Sequence, residues 1–273
     1  MGVKKIRLTG GEPLVRKDII KLIKRLNKKK DSTNLNEITI TTNGTLLEKY
    51  AKDLKENGID RINVSLDTIN KDKFSKITRF GKLEKVISGI KEAKKNDIKI
   101  KINTVALKDF NDDELEKLII WANDLEIDIT FIEVMPMEET DSIRYNQFAP
   151  LDKIFIKLNK KFDFEKINQN TGGPAMYYKS KKISNKVGFI TPLTNNFCAN
   201  CNRVRISSTG KLYMCLGQNE FVDFRLLLRN DYSNEYIKDK INYALKIKPK
   251  KHDFLIEKDS KSYMQRHMNV TGG

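Results

Sequence analysis

Cysteine is scarce in this sequence: 273 residues contain three, at positions 198, 201 and 215. An odd number of thiols in a chain without a secretory leader argues against a disulfide framework. Equally absent is any apolar run approaching the roughly 20 residues of a membrane span. The N-terminal Met1-Gly2-Val3-Lys4-Lys5-Ile6 passes straight into a strand-like pattern without the apolar core of a signal peptide. A cytoplasmic protein with no membrane partner is expected. The sequence also lacks a basic stripe interleaved with exposed aromatics, and with it the main reason to expect a nucleic-acid groove. No internal repeat or low-complexity linker divides the chain.

The few thiols present are concentrated. Cys198-Ala199-Asn200-Cys201 is followed by Cys215 after thirteen intervening residues. A pair separated by two residues can set both thiolates on one metal or cluster, and a third from a following hairpin can close over it. Three protein ligands leave one position open, as a substrate-binding centre requires. Two plainer readings stand beside this one. His252, His267 or an acidic side chain would complete a structural zinc site, and the thiols would otherwise be a buried pair and a stray.

At 273 residues and 39% hydrophobic composition the chain can form a large α/β domain or a domain with an appendage. Its 52 Lys and Arg against 36 Asp and Glu leave a net charge of +16, which favours an anionic partner. Much of the excess, including Lys21, Lys24, Lys28, Lys29 and Lys30, reads as solvated helix surface.

Strand and helix patterns alternate through the first half. Strands are predicted at Lys4–Thr9, Glu37–Thr42, Arg61–Leu66, Ile98–Val105 and Asp128–Val134. Helices are predicted at Lys17–Asn27, Leu46–Asn57, Leu83–Lys95 and Asp112–Leu125. This spacing predicts a parallel sheet with right-handed crossovers, curling toward a barrel, with functional groups at the C-terminal strand ends. Those ends are polar: Thr9-Gly10-Gly11-Glu12-Pro13, Thr41-Thr42-Asn43-Gly44, Ser65-Leu66-Asp67, Asn103-Thr104 and Glu133-Val134-Met135-Pro136. Turn formation, helix capping or core packing explains each one alone; a ring of them suggests a site. After about Pro150 the alternation stops, and a smaller α/β appendage with a strand at Val187–Thr191 is expected.

Together these segments resemble the GTP 3',8-cyclase family of radical S-adenosylmethionine (SAM) enzymes in molybdenum cofactor biosynthesis. The resemblance rests on Ile6-Arg7-Leu8-Thr9-Gly10-Gly11-Glu12-Pro13-Leu14, Thr41-Thr42-Asn43-Gly44, Arg61-Ile62-Asn63-Val64-Ser65-Leu66-Asp67, Phe131-Ile132-Glu133-Val134-Met135-Pro136, Gly173-Pro174-Ala175-Met176-Tyr177-Tyr178, the cysteine spacing with Arg203 and Arg205, and the Gly272-Gly273 terminus. It implies an incomplete (β/α)6 radical SAM barrel over residues 1–149, missing its first βα unit. A smaller C-terminal α/β domain over 150–273 would carry a second cluster. The family's N-terminal CxxxCxxC, which holds the SAM-cleaving [4Fe–4S] cluster, has no counterpart here. The resemblance therefore implies a fragment, a misplaced start or a split gene rather than a degenerate paralogue, inactive as it stands.

By resemblance, Gly11, Ser65 and Met135 contact SAM, whose 5'-deoxyadenosyl radical takes hydrogen from C3' of GTP. Lys5, Arg7, Thr41, Lys101, Arg203 and Arg205 hold GTP. Cys198, Cys201 and Cys215 hold a C-terminal [4Fe–4S] cluster whose fourth iron binds guanine. Arg203, Arg205, Gly272 and Gly273 are the catalytic candidates. The implied partners are GTP, an electron donor and a downstream cyclic pyranopterin monophosphate synthase, and the resemblance allows a homodimer. Two other functions fit less of the sequence: another radical SAM maturase with an auxiliary cluster, such as a peptide-modifying one, and a non-catalytic GTP- or cluster-binding remnant.

Overall fold

Alternation along the strands decides the architecture. β1 (Lys5–Leu8), β2 (Glu37–Thr42), β3 (Arg61–Ser65), β4 (Lys99–Ala106) and β5 (Asp128–Glu133) each place apolar side chains at every second position. Successive side chains of a strand point to opposite faces. One face of the sheet therefore carries Ile38, Ile40, Ile62, Val64, Ile102, Ile129 and Phe131, all with no exposure to solvent. The helices α1 (Ile19–Asn27), α2 (Leu47–Glu56), α3 (Lys71–Thr78), α4 (Leu83–Lys95) and α5 (Leu115–Asp124) bury it with Ile23, Leu47, Leu54, Val86, Ile90, Leu118 and Ile119. Parallel sheets covered on both sides read as continuous apolar runs. Here the other face is polar, which marks it as lining a wet or ligand-filled space.

The computed structural model describes residues 2–135, 145–169, 173–195, 201–249 and 268–272. Within them β1 to β5 pair in parallel and in order, and the sheet continues beyond residue 150. After helix α6 (Leu151–Phe162) come β6 (Glu165–Ile167), β7 (Met176–Ser180) and β8 (Ile183–Ile190). β8 lies parallel beside β5, and β7 and β6 follow antiparallel, giving the order β1-β2-β3-β4-β5-β8-β7-β6. A smaller sheet pairs β9 (Arg205–Ile206), β10 (Lys211–Tyr213) and β11 (Phe221–Asp223) antiparallel. With α7 (Phe224–Arg229) and α8 (Asn234–Lys246) it closes a second core of Leu212, Met214, Phe224 and Ala244.

The fold is thus mixed α/β with a large parallel sheet, and the first-half strands fall within two residues of their expected bounds. Helix α3 was not foreseen. Asn70 caps it by accepting from the backbone of Asp72 and Lys73, but Phe74 is its one buried residue, so it shows no apolar period. The helix expected from Asp112 begins at Leu115, because Asn111 turns the chain with its side chain bonded to Leu107, Asp67 and Val105. Among the described residues no helix is long and apolar enough to cross a membrane.

Candidate functional site

Strand register brings the cations together. On the polar face Lys5 stands opposite Glu37. Arg7, Thr39 and Arg61 form the next row, then Thr41, Asn63, Lys101 and Asp128, then Ser65, Asn103, Thr130, Gly188 and Tyr177. Glu37 draws Lys5 to 2.6 Å and Arg61 to 3.3 Å. Lys101, 7% exposed, donates to the Tyr177 hydroxyl at 3.1 Å. A cavity of 390 Å³ opens beside Arg61, Lys101, Asp128 and Tyr177.

The face is electrostatically unfinished. Burial lowers the Lys101 ammonium to about 7, helped by Arg61, Arg7 and Arg203 nearby. Burial and then Arg203 bring Arg7 down to about 10; burial and then Arg205 do the same for Arg203. Lys5 is also lowered by burial, against the pull of Glu37. Buried polar atoms normally find partners. Yet Thr39 Oγ1, Arg61 Nε, Asn63 Oδ1, Asn103 Oδ1 and Thr130 Oγ1 have none within the protein, and all five belong to this face. Converging cations with orphaned donors and acceptors suit a polyanion that also carries hydroxyl or amide groups.

The residues that the resemblance gives to SAM lie toward the other end of the strands. Gly11, Ser65 and Met135 sit at or beyond the C-terminal ends of β1, β3 and β5, with Gly11 and Ser65 exposed. Four residues separate Arg61 from Ser65, about 13 Å at the ~3.3 Å rise of a parallel strand. The candidate residues thus extend from the C-terminal strand ends, where the βα pattern leads one to expect them, down to Lys5 and Arg61 at the strand starts. A sheet with an uncovered polar face offers its whole depth. The rim is braced by Glu12, whose carboxylate accepts from Leu14 N at 3.0 Å, Thr42 Oγ1 at 2.7 Å and Asn43 N at 2.7 Å. Thr41 lies just below that brace, on the polar face.

Gly272 reaches this rim after the short helix α9 (Met268–Thr271). It is buried with φ +71°, and a Cβ there would lie 2.2 Å from Thr9 Cγ2, so only glycine fits. Arg205 donates from Nε to the Gly272 carbonyl at 3.4 Å. The tail is thereby set between the glycine loop after β1 and one of the two assigned arginines. Arg203 precedes the two-residue β9, because β10 pairs only with Arg205 and Ile206. Exposure nonetheless alternates from 201 to 206, so Cys201, Arg203 and Arg205 share the less exposed side.

Cys201 and Cys215 are both partly exposed. Lys248 connects their segments, donating to Cys201 Sγ at 3.7 Å and to the carbonyl of Met214 at 3.0 Å. Two cysteine side chains on segments joined by a lysine are donors of the kind an iron–sulfur cluster takes. Cys198, Gly273 and the alternative zinc ligands His252 and His267 lie outside the described residues. Among those described, no three His, Cys, Asp or Glu side chains converge on a metal position. Four residues of the site escaped the sequence reading: Glu37, Arg61, Tyr177 and Lys248. Strand alternation places Arg61 level with Arg7 and would have found it; nothing local marks the others.

Residues 1–122 match the model of the Radical SAM superfamily, and residues 127–254 that of Molybdenum Cofactor Synthesis C. A GTP 3',8-cyclase of Mesorhizobium japonicum is 50% identical over all 273 residues, which cover 82% of its own length. One from Brucella ovis is 49% identical, with 79% of its length covered. Among solved structures, Streptococcus suis SuiB bound to S-adenosylmethionine superimposes with a TM-score of 0.58 at 16% identity, over 84% of this chain and 55% of that one. That likeness concerns the fold alone.

Proposed function

This chain belongs to the GTP 3',8-cyclase family of radical SAM enzymes, and from that membership we propose that it binds GTP on the polar face of its sheet for cyclisation between C3' and C8. The proposed architecture is an incomplete (β/α)6 barrel over residues 1–149, with residues 150–273 as the GTP- and auxiliary-cluster-binding part of a cytoplasmic enzyme. Lys5, Arg7, Arg61, Lys101 and Arg203 hold the triphosphate. Arginine offers planar paired donors to phosphate oxygens and lysine a point charge. Gly11, Ser65 and Met135 hold SAM at the rim, and Thr41 lies between the two groups. Cys198, Cys201 and Cys215 would hold a [4Fe–4S] cluster, which would supply an iron for the guanine to bind. Arg205 and the Gly272-Gly273 tail order the ribose between them. Catalysis by these residues is positional: fixing one carbon against another matters more than moving a proton.

The observation that carries this reading is the convergence of five cations on a face with buried, unpartnered polar atoms. Arg203→Ala tests it. Loss of a charge-assisted contact in a partly desolvated site costs about 1.5–3 kcal/mol, roughly ten- to a hundredfold in GTP affinity. Calorimetric titration should show that loss with iron content unchanged. Undiminished affinity in both Arg203→Ala and Arg61→Ala would put the triphosphate elsewhere.

A further inference from the structure

Lys248, which follows helix α8, sits where no sequence motif draws attention. Its ammonium donates to three acceptors: the Arg203 carbonyl at 2.6 Å, the Met214 carbonyl at 3.0 Å and Cys201 Sγ at 3.7 Å. A lysine has three N–H donors, so each has a protein acceptor. The acceptors come from two segments. One, 201–203, joins a thiol to a substrate arginine; the other ends at Met214, next to Cys215. A surface lysine with no role would leave its head group to water, as long cationic side chains ordinarily do.

We propose that Lys248 is a positioning and redox-tuning residue for the thiolate centre: it locks Cys201, Arg203 and the Cys215 segment into one unit and sets a positive charge against a ligand sulfur. The proposal rests on the reading that Cys198, Cys201 and Cys215 carry an iron–sulfur cluster. Hydrogen bonds to cluster sulfurs and nearby charge help set reduction potentials. A cation favours the more negative, reduced state, so Lys248 raises the potential. Through the Arg203 carbonyl the same ammonium holds the backbone from which a GTP-binding guanidinium extends. One side chain thus couples the integrity of the centre to the placement of the substrate's phosphates.

The test uses the full chain, reconstituted without oxygen, as the parent and as Lys248→Met and Lys248→Arg. Midpoint potentials are read by electron paramagnetic resonance during redox titration, with iron content and GTP affinity measured on the same samples. Lys248→Met should retain iron but be at least tenfold less reduced at a fixed potential, about 59 mV lower for a one-electron couple, and should bind GTP more weakly. Lys248→Arg, which keeps charge and donors, should stay near the parent. Equal potentials in all three proteins overturn the proposal. If Lys248→Met loses its iron while circular dichroism is unchanged, retention by Lys248→Arg supports the role of the charge, and equal loss from both overturns it. A parent without iron would overturn the cluster reading itself, an outcome distinct from equal potentials.

Discussion

Burial of Lys101 ties stability, and the proposed GTP binding, to pH. Its pKa falls from 10.5 to about 7, because burial and three neighbouring guanidinium groups disfavour the charged form. Between about 7 and 10.5 the unfolded chain holds a proton that the folded, ligand-free protein has released. Stability without ligand should therefore rise with pH across that interval, and the penalty for a charged Lys101 is complete below 7. A triphosphate held there, as proposed, would reverse the preference, since an anion keeps the ammonium charged. Titration calorimetry at pH 8 in buffers of different ionisation enthalpy should detect uptake of up to about one proton per GTP. Affinity should fall with rising pH by up to about tenfold per unit. Lys101→Met should abolish the uptake and flatten the profile.

The packing of elements decides positions that composition leaves ambiguous. Gly89 lies in the middle of α4, where glycine costs a helix up to about 1 kcal/mol relative to alanine. On propensity alone Gly89→Ala should stabilise. A Cβ there, however, would come within 2.7 Å of the Gly44 carbonyl oxygen and 2.8 Å of Leu47 Cβ, where α4 crosses the start of α2. Backbone cannot yield like a flexible side chain, and overpacking of about 1–3 kcal/mol wins. Gly89→Ala should lower the urea midpoint without changing the slope. Glu133 does comparable work at the end of β5. Its buried carboxylate accepts from Leu151 N at 3.2 Å, the start of α6, and from Leu193 N at 3.0 Å and Thr194 N at 3.2 Å in the turn after β8. Glu133→Ala leaves three backbone donors without their acceptor and should cost about 3 kcal/mol or more, read as a lower midpoint in the same titration.

Taken whole, the 273 residues contain one set of three thiols and no CxxxCxxC. Purified without oxygen, this polypeptide should bind about four irons as one cluster, measured by iron analysis and visible absorption. Stoichiometric zinc in a colourless protein would restore the structural-zinc alternative. The same polypeptide should form no 5'-deoxyadenosine from SAM and reductant, and addition of a CxxxCxxC segment ahead of β1 should produce it. Robust SAM cleavage by the 273 residues alone would show that the radical centre is misassigned.

The sequence by itself determined the elements of the first half and the chemical types at the site. Period-two alternation and turn residues are local signals, so β1 to β5 and most of their helices were legible within a residue or two, as were the Cys198, Cys201 and Cys215 spacing and the paired Arg203 and Arg205. Tertiary structure alone decided that β8 continues the main sheet beside β5, because strand pairing across some fifty residues leaves no mark in either segment. It also decided which ordinary residues count. Arg61, Tyr177, Glu37 and Lys248 look like any exposed charged or aromatic side chain until register sets Arg61 level with Arg7, across Thr39, until folding brings Tyr177 against Lys101, and until the end of α8 brings Lys248 to Cys201. Burial, like-charge crowding and unmet hydrogen bonds belong to distances between side chains, and those distances exist only after the chain has folded.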